Sequence, residues 1–244
     1  MTIHRNSGDL ATDVTTTSGT SRRALLKGAA LGGVGLAVAG FKGMPALAAS
    51  SESLQTIINI ALTAELLAVT TYSNAIANFT VLGFDDGMGV NLGYLVGALA
   101  AESDHVSILQ LLGAQPLAST FSYPTGMFSS GTTFANTLET LETAFIAAYM
   151  IAVSEAAAAG RPDVAQLAAR HGAVEAEHRV NARNLTNKIP SNNSSFESLD
   201  GFTKVGDAAA ALQALGFLSP VAGNSYAYPG PVAPDFTNIV DRHP

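Results

Sequence analysis

Apolar residues recur every three or four positions through Leu54, Ile57, Ile58, Ala61, Leu62, Val69, Tyr72 and Ile76. That spacing predicts a first helix over 52–79, with Ser51 or Ser53 as its N-cap. Gly83, Asp85, Asp86, Gly87 and Gly89 mark a turn. A second stripe, through Leu95, Ala98, Leu99, Val106 and Leu109, predicts a helix over 91–112. From Gly113 to Thr133 the pattern dissolves among Pro116, Pro124, Gly126, Gly131 and several Ser and Thr, so a long loop is expected. A third, Ala-rich helix over 134–159 carries Leu138, Phe145, Ile146, Tyr149 and Val153 on its apolar face. Gly160 suits its C′ position, and Pro162 suits the first turn of a fourth helix over 162–188, which stops before Pro190. Connections that run short, long, short predict an all-α four-helix bundle with one long crossover. No strand pattern is expected. Beyond Pro190 a Ser/Asn-rich linker, a short helix over 208–218 and a Pro/Gly/Tyr-rich tail read as an extension packed on the bundle.

The first 48 residues read differently. Arg22-Arg23 precedes Leu25, Leu26 and Lys27, an uncharged Gly-rich stretch runs from Gly28 to Phe41, and Ala46-Leu47-Ala48 offers a cleavage site. The apolar run is shorter than the roughly 20 residues a bilayer span needs. This layout describes an export signal, and the arginine pair resembles the twin-arginine type. An uncleaved amphipathic anchor is the alternative. The expected organisation is therefore signal 1–48, bundle 49–189 and C-terminal extension 190–244, with no transmembrane span in the mature chain.

Composition narrows the function. The chain carries 12 Lys and Arg against 19 Asp and Glu, a net charge of −7. Losing 1–48 removes five basic and two acidic residues, leaving seven against 17 and a net of −10. That acidity excludes a nucleic-acid binder and suits cations. Without cysteine there is no disulfide, thiol nucleophile or iron–sulfur cluster.

Glutamates interrupt the apolar stripes. Glu65 follows Ala61 and Leu62; Glu102 follows Ala98 and Leu99, with His105 one turn on; Glu142 lies between Leu138 and Ile146; Glu175 has His178 one turn on. An i,i+3 pair faces one way, so each Glu-x-x-His offers two ligands to one point. The halves repeat as Glu-x6-Tyr followed by Glu-x-x-His, which suggests a duplicated helical hairpin. No Lys or Arg occurs between Lys42 and Arg161. An ionised carboxylate in an apolar interior must neutralise or find a cation. Two divalent cations would balance four carboxylates, and oxygen plus imidazole ligands suit iron or manganese, with zinc as another occupant.

The segments ALTAELLAVTTY, ALAAESDHVSIL, LETAFIAAY and VEAEHRVNARNL resemble the ferritin-like domain of the bacterial desiccation-related family, over about residues 52–188. The resemblance implies a ferritin-like four-helix bundle with a carboxylate-bridged dinuclear metal centre. Its ligands would be Glu65, Glu102, His105, Glu142, Glu175 and His178, with Glu102 and Glu175 bridging and Glu65 and Glu142 terminal. Val174 stands where the wider di-iron pattern often has an Asp that orients a histidine. The expected cofactor is two divalent ions, iron foremost and manganese as the alternative. The expected function is an exported di-iron oxidoreductase of ferroxidase or peroxidase type, acting on iron, oxygen or peroxide. Two other readings stand beside it: a non-catalytic stress or envelope protein with a structural metal site, and a dimanganese catalase-like enzyme. A storage cage is not expected, because the Pro-rich tail does not resemble a cage-forming fifth helix. Expected partners are metal ions, oxygen or peroxide and the twin-arginine export machinery; homo-oligomers stay open.

Further residues are weighed beside these. Tyr72 and Tyr149 share a face with Glu65 and Glu142 and are either hydrogen-bond partners of the metal-bound oxygens, electron donors or core tyrosines. His171, one turn before Glu175, is either an extra ligand, a proton shuttle or a hydrogen-bonded interior histidine. Asp104 and Glu177 point away from the stripe, and Glu139 and Glu155 read as surface groups.

Overall fold

The computed structural model describes residues 52–188, 201–219, 221–233 and 235. The export-type segment 1–48 lies outside the described residues. Helix α1 spans Leu54–Ala77, a one-turn helix α2 spans Phe79–Leu82, and α3 spans Val90–Leu111. A strand β1 follows at Thr120–Ser122, then α4 at Gly131–Ala158, α5 at Pro162–Asn184, α6 at Gly206–Ala214 and β2 at Ser225–Ala227. Four long helices, paired α1 with α3 and α4 with α5, form the expected all-α bundle with its long crossover.

Local chemistry sets the ends. Ser53 caps α1, its hydroxyl accepting from the Thr56 N–H at 3.1 Å. Asp86 gathers the N–H groups of Met88, Gly89 and Asn91, which turns the chain into α3. Helix α4 starts at Gly131, three residues earlier than its apolar pattern indicates. Ser130 caps it through the Thr133 N–H. Only a glycine fits at 131, since a Cβ there would sit 2.3 Å from the Leu82 carbonyl oxygen. The α4 end is a Schellman motif: Gly160, at φ 72°, donates to Ala157 and Arg161 donates to Ala156. Helix α5 ends at Asn184 rather than at 188, and a turn with Asn187 at φ 54° follows.

One expectation fails. The crossover and tail are not wholly irregular: β1 and β2 pair antiparallel, Phe121 opposite Tyr226. Strands of three residues are too short to show alternation, and their partners lie about a hundred residues apart in the chain. The ribbon is tied to the tail by the Ser122 hydroxyl, which donates to the Ser219 carbonyl at 2.6 Å and accepts from the Val221 N–H at 2.9 Å. Beneath it Phe121, Met127 and Phe134 are fully buried. The short C-terminal helix is held by two acids: Glu52 accepts from the Gly206 N–H at 2.8 Å, and Glu155 accepts from the Val205 N–H. Glu155 is therefore an inter-element acceptor and not a free surface group.

The helices α1 and α4 are long and apolar enough to cross a membrane, yet 72% and 50% of their most apolar windows are buried within the protein. Their apolar faces make the bundle core, with Leu62, Leu67, Leu138 and Leu141 almost fully enclosed.

Glu139 is likewise more than a surface group. It receives hydrogen bonds from Arg183 at 2.6 Å and from Lys188, which fasten α4 to the end of α5. Partial burial raises its pKa, but the hydrogen bonds from Lys188 and Arg183 win and hold it below the ordinary value. A lowered carboxylate pKa stabilises the fold above the unfolded pKa, and the contribution fades as pH falls through the folded one. Glu139→Gln is expected to cost about 1 kcal/mol at pH 7. The gap between variant and wild type should close by pH 3 in urea melts followed by circular dichroism.

Candidate metal centre

Each long helix sends one glutamate inward. Glu65, Glu102, Glu142 and Glu175 are at most 1% exposed, and His105 and His178 at most 5%. All six converge. Ligand atoms of Glu65, Glu102, His105 and Glu175 lie within 4.8 Å of one another, and so do those of Glu102, Glu142, Glu175 and His178. Glu102 and Glu175 belong to both groups; Glu65 and Glu142 belong to one each.

The arrangement is nearly two-fold. His105 Nδ1 is 3.2 Å from Glu102, and 3.5 Å from both Glu65 and Glu175. His178 Nδ1 is 3.2 Å from Glu175 and 2.8 Å from Glu102. Each histidine thus meets its own helix's glutamate and the one on the opposite hairpin. The tyrosines cross over. Tyr72 of α1 donates to Glu142 of α4 at 2.6 Å, and Tyr149 of α4 donates to Glu65 of α1. Pairing 72 with 142 and 149 with 65 requires α1 and α4 to run in opposite directions. A tyrosine seven residues from its own glutamate lies about 10 Å along the axis. It can reach only the carboxylate on the facing helix, so spacing plus antiparallel packing could have revealed the swap.

Each of the four central carboxylates carries an oxygen with no hydrogen bond: Glu65 Oε2, Glu102 Oε1, Glu142 Oε2 and Glu175 Oε1. Glu102 Oε1 is close to His178 Nδ1, but not at an angle that makes a hydrogen bond. One orphaned acceptor per helix, all facing one small volume, is the donor set a hard or borderline cation needs. The residues fit a metal.

Protons take the cation's place when no metal is bound. Burial pushes the His105 pKa down, but Glu65 and Glu102 overcome it and raise it to about 11. Burial likewise opposes charge on His178, while Glu102 and Glu142 lift its pKa well above the usual value. Glu142 is raised by burial and then by Glu175, and Glu175 by burial and then by Glu102. Burial, reinforced by the neighbouring carboxylates, keeps Tyr72 and Tyr149 neutral donors.

The other weighed residues sort themselves by position. Asp104 and Glu177 are exposed, as expected. His171 is buried, stacks on His105 with ring centroids 3.8 Å apart, and lies 3.3 Å from the Tyr149 hydroxyl. Burial, then the charge on His105, pushes its pKa down to about 3. Val174 is half-buried, and its side chain has no group to orient a histidine; Tyr72 and Tyr149 make their outer contacts to glutamates instead. Away from the cluster, a cavity of about 250 Å³ sits where crossover and tail meet, lined by Asn78, Tyr123, Met127, Phe128 and Tyr226 among others. None of the six converging residues lines it.

A four-helix bundle with one long crossover carries in its core a ring of glutamates and histidines that could hold metal. Residues 53–188 match the family model of the ferritin-like domain, and the chain belongs to that family. It matches no curated protein and no solved structure.

The raised pKa values set a pH dependence. A raised histidine stabilises the fold below its unfolded pKa of 6.5, and for His105 that contribution is lost as pH rises through about 11. A raised carboxyl works in the same sense, because the folded state keeps a proton that the unfolded chain releases. Metal-free protein is therefore expected to melt at a lower temperature at pH 9 than at pH 6, and added divalent metal should flatten the dependence. Glu142→Gln keeps an acceptor for Tyr72 and removes the cost of holding a buried carboxyl protonated above its unfolded pKa. It should raise the melting temperature of metal-free protein at pH 8 by about 2–4 °C, on the order of 1 kcal/mol.

Proposed function

We propose that this chain is an exported protein that holds two divalent metal ions, iron foremost, and acts in iron oxidation or in handling oxygen or peroxide. The observation that carries the reading is the sharing pattern: two four-residue groups overlap in Glu102 and Glu175 alone. On it, Glu102 and Glu175 would be shared between two ions, with Glu65 and His105 held to one and Glu142 and His178 to the other. Iron bound there would supply the redox chemistry for reducing oxygen or peroxide.

The protein's own part is geometry and exclusion of water. Tyr72 and Tyr149 each hold one oxygen of a terminal carboxylate, which leaves its second oxygen turned to the metal side. Leu62, Val69, Leu99, Val106 and Leu138, each three or four residues from a central glutamate, belong to one buried apolar cluster. Because all four glutamates sit on long packed helices rather than loops, their positions are set before metal arrives. Export rests on the Arg22-Arg23 segment, and a part in stress or desiccation tolerance on the resemblance to the bacterial desiccation-related family.

Purified protein loaded anaerobically with ferrous iron and then mixed with oxygen or peroxide tests the activity. Wild type is expected to consume oxidant with two irons per chain, and Glu102→Ala to lose at least nine-tenths of that rate along with metal. Equal consumption by both would sink the enzymatic reading. A rise in melting temperature with metal but without turnover would favour the structural-metal reading instead. Turnover of peroxide by manganese-loaded protein alone would favour the dimanganese one. For export, Arg22→Lys combined with Arg23→Lys should keep the chain inside the producing cell, read by fractionation.

A further inference from the structure

The two halves of the centre differ in one place. The helix hairpins superpose in sequence at Glu102 with Glu175 and at His105 with His178, an offset of 73 residues. At the same offset His171-Gly172 on α5 corresponds to Ala98-Leu99 on α3. One half therefore carries an extra imidazole, and the other an alanine, one turn before the shared glutamate.

The packing follows that difference. In the half without the extra histidine, Tyr72 meets His178 edge-on, with ring centroids 5.6 Å apart. In the other half the ring that Tyr149 meets edge-on is His171, at 5.4 Å, and His171 in turn stacks on His105. His171 is thus wedged between the tyrosine and the histidine that its counterpart half leaves in direct contact. Gly172 makes room for the wedge, since a Cβ there would sit 3.1 Å from Tyr149 Cβ.

The wedge points at the centre. A ring nitrogen of His171, one of His105 and an oxygen of Glu65 lie within 4.8 Å of one another. His105 Nδ1 faces Glu65 Oε2 at 3.5 Å and His171 Nδ1 faces Glu65 Oε1 at 4.0 Å, so the two imidazoles flank one carboxylate. His171 is 3% exposed and its Nε2 has no hydrogen-bond partner. His171 thus turns Nδ1 toward Glu65 and keeps Nε2 unsatisfied, and Glu65 keeps Oε2 unsatisfied; a cation would supply the partner that such buried atoms lack.

We propose that His171 is a seventh protein ligand and makes the two metal positions unequal, with two imidazoles at the Glu65 position and one at the Glu142 position. The proposal rests on the dinuclear reading above and adds to it a chemical asymmetry. The two-imidazole position, richer in nitrogen, favours metals late in the first row, while the carboxylate-rich position tolerates manganese or magnesium better. The first equivalent of a nitrogen-preferring metal then enters beside Glu65, and mixed occupancy becomes accessible. Equal positions would fill together.

Cupric and cobaltous ions serve as probes on the full chain. With one equivalent of Cu²⁺, the electron paramagnetic resonance spectrum of wild type should show superhyperfine coupling to two imidazole nitrogens. Coupling to one nitrogen overturns the proposal, and this measurement needs no variant. Anaerobic Co²⁺ titration should give two steps separated by at least tenfold in affinity. His171→Ala should retain two equivalents but merge the steps by weakening the tighter one tenfold or more, and added free imidazole should restore part of the separation. If His171→Ala keeps both steps and the same d–d absorption, His171 only supports Tyr149, and the proposal fails while the dinuclear reading stands. If wild type takes up fewer than two cobalt ions, the dinuclear reading itself fails and takes the proposal with it.

Discussion

Four carboxylates enclosed in one apolar interior are the constraint on which this structure turns. Mutual repulsion and lost hydration both oppose their ionisation, and the three helices that bring Glu65, Glu102 and Glu142 have no lysine or arginine of their own. Of the cations on α5, Arg183 reaches Glu139 together with Lys188 beyond the helix end, Arg179 is buried next to His178 in the chain, and Arg170 faces solvent. At the centre itself the raised pKa values of His105, His178, Glu142 and Glu175 put protons where a metal would otherwise sit. A bundle with leucines at these four positions would hold together better. The acids form a donor set that could hold a cation.

The rest of the fold keeps that arrangement rigid. Crossed tyrosine–glutamate pairs link α1 to α4, and crossed histidine–glutamate pairs link α3 to α5, so the centre itself joins the hairpins. The crossover then folds back over Phe121 and Met127 and is sewn to the tail through β1 and β2. Glu52 and Glu155 hold the C-terminal helix by its backbone N–H groups. Membership in the ferritin-like domain family accords with this plan, in which helices supply ligands and connections supply closure.

The near two-fold repeat is broken where His171-Gly172 stands at the position of Ala98-Leu99, and Gly172 lets α5 come close to Tyr149 there.

Much of this was legible in the chain itself. Helical periodicity is a local property, and the four long helices follow it to within a few residues at most ends. The glutamates and histidines could be picked out because polar groups in an apolar stripe break a pattern that needs no tertiary knowledge. Which face of each helix they occupy follows from 3.6 residues per turn. What the sequence could not decide were relations between distant segments. The β1–β2 pairing joins three-residue strands with no alternation to read. Glu139 looked like surface until the end of α5 came beside it. The tyrosines' choice of carboxylate depended on α1 and α4 running in opposite directions. The place of His171 depended on how closely α5 approaches Tyr149. Periodicity assigns a side chain to a face, but only packing of one helix against another determines what it meets there.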